Sequence, residues 1–74
     1  MNRAVIERQL EIVERHVALG AARIERQREL IAELEQNGED AGEARLLLSG
    51  FEDLHRLHLA ECDRLRRTLA DAAS

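Results

Sequence analysis

Apolar residues recur at alternating steps of three and four along nearly the whole chain, and the recurrence is broken once. Ile6, Leu10, Val13, Val17, Gly20, Ile24, Gln27, Ile31 and Leu34 keep this spacing in the first half. Ala44, Leu48, Phe51, His55, His58, Cys62, Leu65, Leu69 and Ala72 keep it in the second. At about 100° per residue such a series stays on one side of an α-helix and faces a partner helix, whereas a half-buried strand needs alternation at every second residue. Between the two series stands Asn37-Gly38-Glu39-Asp40. Asn and Gly both tolerate the left-handed backbone that closes a helix, so the chain reverses there. The pattern predicts an all-α fold, an antiparallel two-helix hairpin forming one domain over 1–74, with helices at 3–36 and 41–72 and a turn at 37–40.

The ends of both helices carry their own signals. Asn2 is a favoured N-cap, because its side-chain oxygen can accept an orphan backbone N–H. Asp40 with Glu43 three residues on reads as an acidic variant of the capping box, placed at the positive end of the helix dipole. No proline interrupts either helix. Pairing the helices across so short a turn brings together positions whose numbers sum to about 78. Gly20 is then expected opposite His58, Gln27 opposite Phe51 and Leu10 opposite Leu69. A mid-helix glycine costs about 1 kcal/mol relative to alanine, so its place opposite an imidazole points to volume matched across the seam.

A hairpin of 74 residues has a single seam in which to hide apolar side chains, which is little core for a stable fold. With one cysteine, Cys62, no internal disulfide can make up the difference. Val5, Ile12, Leu19 and Leu30 widen the apolar face of helix one, and Leu47, Leu54 and Leu57 widen that of helix two. A face of that width suits a helix with two neighbours. The expectation is a homo-oligomer, most simply a dimer forming a four-helix bundle, with Ile12, Leu19, Leu47, Leu54 and Leu57 at the interface. Exposed surface is left over for a protein partner.

The formal charge of −4 argues against a general nucleic-acid binder, which carries net basic surface to replace phosphate counterions. All basic residues are arginine, so lysine Schiff-base chemistry is excluded. The lone cysteine fits a reducing compartment, and no apolar run approaches the ~18 residues of a membrane span. A cytoplasmic protein is expected. Serine occurs only at Ser49 and Ser74, threonine only at Thr68, and no glycine-rich phosphate loop is present, so no enzyme is expected.

Three constellations could still carry chemistry. His16, His58 and Cys62 fall in one layer of the predicted hairpin, and imidazole and thiolate are good ligands for zinc or another transition metal. The competing reading is a buried cysteine acting as a small hydrophobe, with histidines hydrogen-bonded across the seam. Glu52-Asp53-Leu54-His55 is similar over four residues to the Glu-x-x-His pair of the two-helix encapsulated ferritins. At 100° per residue, however, Glu52 falls to the side of the stripe that holds His55, and Glu25 at the matching level points away. Arg23, Arg26 and Arg28, with Arg64, Arg66 and Arg67, could grip RNA as the Rop-type hairpin dimers do, a likeness of architecture alone. Glu25, Glu29 and Glu33 interleave with the first cluster, as on a mixed-charge solvated surface.

Arg15-His16-Val17, Gly20, Ile24, Arg26-Gln27-Arg28-Glu29-Leu30-Ile31, Gly38 to Asp40, Ala44 to Leu48, Phe51-Glu52 and Leu57-His58 span most of the chain. In these segments it resembles a group of short uncharacterised alphaproteobacterial helical-hairpin proteins. The resemblance implies a bacterial, cytoplasmic hairpin and transfers no catalytic residue. His16 and His58 both lie within the matching segments.

Overall fold

A computed structural model describes residues 2–73, with side chains described for 2–72. It contains two helices, α1 (Arg3–Gln36) and α2 (Gly42–Ala73), folded back on each other as an antiparallel hairpin. The hairpin is a rod of 56 × 14 × 14 Å, the dimensions of two helices of 34 and 32 residues lying side by side. Among the described residues, no helix is long and apolar enough to cross a membrane.

Local chemistry sets each boundary. The Asn2 side chain accepts the Ala4 N–H at 2.8 Å and starts α1. At the other end the Gly38 N–H bonds to the Glu35 carbonyl at 3.1 Å and the Glu39 N–H to the Leu34 carbonyl at 2.8 Å. This pair of bonds is a Schellman motif, and Gly38 takes the positive φ of 71° that it requires. Asp40 caps α2 in a different way from the expected box. Its Oδ1 accepts the Gly42 N–H at 2.9 Å, while the Ala41 carbonyl accepts from Arg45 at 2.9 Å. Ala41 is therefore the cap position and is itself buried, so α2 begins at Gly42, one residue later than the pattern predicts.

The register also differs from the expected one. Gly20 meets His55 and not His58: a Cβ built on Gly20 would stand 2.8 Å from the His55 Nδ1. Those two numbers sum to 75, three less than the expected value. Extending the same register sets Ile24 level with Phe51 and Val13 level with Cys62. Gln27, expected opposite Phe51, donates its Nε2–H to the Ala44 carbonyl at 2.9 Å.

The interior is thin. Ile6, Ile24, Ile31, Ala41, Cys62 and Leu65 are buried, together with one polar residue, Gln27. They fall in two groups, one at each end of the rod. Val13, Val17, Gly20, Phe51, His55 and His58, which span the middle, are half-buried.

Two predictions follow from this packing. Gly20→Ala should lower the melting temperature, because overpacking against the imidazole outweighs the ~1 kcal/mol gain in helix propensity. On a His55→Ala background the same change should raise it, and a double-mutant thermal cycle reads the reversal of sign. Separately, Leu65→Ala should cost about 2–5 kcal/mol, whereas Arg66→Ala beside it should cost less than about 1 kcal/mol. Urea denaturation at fixed protein concentration measures both.

Candidate functional site

The two long flanks of the seam differ in chemistry. Three ion pairs join the helices: Arg66 to Glu14 at 3.1 Å, Arg28 to Glu52 at 3.2 Å, and Arg45 to Glu35. On α1 the partners are residues 14, 28 and 35, and on α2 they are 45, 52 and 66, all separated by multiples of seven. A seven-residue interval returns to almost the same angle on a helix, so all three bridges lie along one flank. Each pair is exposed and contributes only tenths of a kcal/mol, but together they line that edge with charge.

The opposite flank is apolar. Val5, Ile12, Leu19 and Leu30 from α1 and Leu47, Leu54 and Leu57 from α2 are all exposed there, Leu19 by 63% and Leu57 by 67%. At the middle of the rod this flank opens into a cleft of about 100 Å³ lined by His16, Leu19, Gly20, Arg23, Phe51, Leu54, His55 and His58. Both helices contribute to it, which fixes the two apolar rows on the same side of the hairpin. The cleft is smaller than the roughly 300–1,000 Å³ of a typical small-molecule pocket and better matches one or two side chains. Leu46 and Leu59 are also exposed: the first lines a shallow depression with Glu43, Leu47, Gly50 and Phe51, and the second by helical spacing lies on the ion-paired flank.

The five residues expected at an interface, Ile12, Leu19, Leu47, Leu54 and Leu57, all belong to this flank and are exposed in the single chain. The expected metal candidates are brought together only in part. His16 and His58 stand with ring centroids 5.1 Å apart and planes inclined by 39°. Cys62 is buried in the seam, 2% exposed. Among the described residues, no group of three from His, Cys, Asp and Glu is placed to hold a metal ion. The Glu52 carboxylate is held by Arg28 on the ion-paired flank, away from the cleft that His55 lines. The His55 Nδ1 is buried and has no hydrogen-bond partner among the described residues.

Most of the arginines considered as a nucleic-acid grip are already engaged. Arg28 and Arg66 bridge the helices, Arg64 holds Glu61, and the Arg23 guanidinium lies over the Phe51 ring at 5.2 Å from its centroid. The Arg64 hydrogen bond holds the Glu61 carboxyl below the ordinary carboxylate range. Within α2 two further acids lie beside arginines. Arg56 bonds to Asp53, freeing Glu52 for Arg28, and Asp63 lies beside Arg66 at 3.9 Å. The Thr68 hydroxyl donates to the Arg64 carbonyl at 2.9 Å.

Sequence reasoning passed over the ion-paired flank and Gly50. The signal for the first was the sevenfold recurrence of opposite charges on the two helices. No family model, curated protein or solved structure matches the chain.

Because the bridges are exposed, salt should screen them while leaving the seam intact. The stability lost in Arg28→Ala should shrink in 1 M NaCl relative to low salt. That lost in Leu65→Ala should not shrink, and thermal melts at the two ionic strengths compare them.

Proposed function

We propose that this hairpin is a non-enzymatic helix-pairing module, which works by presenting one apolar flank to helices from outside its own chain. The observation that carries the reading is the division of the seam into a charged flank and an apolar one. A hairpin adapted to be alone would have no cause to gather its surplus leucines on one side, since contiguous exposed apolar surface marks an interaction site. The partner helices, its own copy first among them, complete a four-helix bundle, and the flank's polar margin leaves room for a further protein. Cys62, single and buried, suits work in a reducing compartment such as the bacterial cytoplasm.

Face-specific photo-crosslinking tests the reading. A photoreactive side chain at position 54 or 19, on the apolar flank, should give intermolecular adducts. The same group at position 21, on the ion-paired flank, should give few. Equal yields from the two flanks, or none from either, would remove the proposal.

A further inference from the structure

The apolar flank is complementary to itself. Along α2 the residues that face outward from it at intervals of seven are Glu43, Gly50, Leu57 and Arg64. Read toward the C-terminus, the row runs acid, hole, knob, base. Gly50 is a hole because it carries no side chain and lines a shallow open depression with Glu43, Leu46, Leu47 and Phe51. Leu57 is a knob, 67% exposed. When two such rows run antiparallel, Glu43 of one copy lies level with Arg64 of the other and Gly50 with Leu57, because each of these pairs of numbers sums to 107. One twofold axis, passing between Asp53 and Leu54, satisfies all four contacts at once. With the register of 75 that Gly20 and His55 establish, the same axis brings α1 of the two copies together at positions summing to about 43. Ile12 then falls within one residue of the level of Leu30 in the other copy.

The amount of surface agrees with a second copy. The chain exposes 5586 Å², whereas a compact monomer of this 8.4 kDa mass exposes about 4,600 Å². The surplus, about 1,000 Å², is what a rod of 56 × 14 × 14 Å shows beyond a compact shape of the same mass, and a second rod laid alongside can cover the ~800 Å² per partner of a standard interface.

We infer that the cover of this flank is a second copy of the chain, packed face to face with the two turns at opposite ends, so that each Leu57 seats over the partner's Gly50. This deepens the helix-pairing reading and rests on it. The arrangement with both turns at one end is disfavoured by charge. It sets Glu33 of one copy level with Glu43 of the other, both exposed carboxylates. Opposite ends carry Glu43 instead to the level of Arg64, whose guanidinium also holds Glu61 of its own chain, and such a closed twofold contact needs no second surface.

Purified full-length chain decides it by sedimentation equilibrium over micromolar concentrations. The expected species has twice the 8.4 kDa chain mass. Gly50→Leu fills the hole without disturbing the hairpin and should raise the dimer dissociation constant about tenfold or more. Adding Leu57→Ala to Gly50→Leu, which moves the knob to the other member of the pair, should restore association. Leu54→Cys lies beside the axis and should form a disulfide with its own copy under mild oxidation. A chain that stays monomeric throughout would overturn the inference. If such a monomer still crosslinks through position 54 to a different protein, helix pairing stands and the second copy alone is lost. A dimer indifferent to Gly50→Leu, in which Leu54→Cys fails to crosslink, would overturn the face-to-face arrangement.

Discussion

Two helices alone can offer each other only one seam, and everything distinctive about this chain follows from how that seam is finished. At Gly20 helix one gives up a side chain so that the His55 imidazole can lie against its backbone. Among the described residues seven are buried, and the middle of the rod stays half open. A core this small leaves the chain short of apolar burial, the dominant favourable term in folding. The remainder has to come from the flanks, which solve the problem in opposite ways. One is edged with ion pairs that tolerate water, and the other keeps its leucines dry only when something lies over them.

This division governs where the charged side chains of the chain are spent. The arginines that might have gathered into a phosphate-binding strip are spread among Glu14, Glu52, Glu61 and the Phe51 ring. The Glu52 carboxylate that might have turned inward toward His55 is held by Arg28 on the surface. The pair formed by His16 and His58 sits at the rim of the apolar cleft, where a covering helix would meet it first.

Much of the fold was legible in the sequence because helical periodicity, Asn2 and Asn37-Gly38 act locally. Each depends on residues within a turn or two, and the structure places the ends of α1 where those residues require. The register was less legible, since it depends on where the backbone reverses. The side chain that meets Gly20 is His55 and not His58 one turn further on, a choice made by the packing of both helices together. The apolar flank could be read from Leu19, Leu54 and Leu57 because surplus hydrophobicity is visible one helix at a time. The ion-paired flank could not be read that way. Glu52 has both Arg56 within its own helix and Arg28 across the seam in reach of its charge, and only the three-dimensional register decides between them.

The placement of Cys62 has a consequence for how the hairpin can be watched. Its thiol is 2% exposed in the seam near the end of the rod remote from the turn. Oxidants and alkylating reagents react with thiolates they can reach, so this sulfur stays silent while the helices are closed. Any modification found on it dates from a moment when the two arms had parted, and its accumulation is a clock built into the molecule that counts those openings.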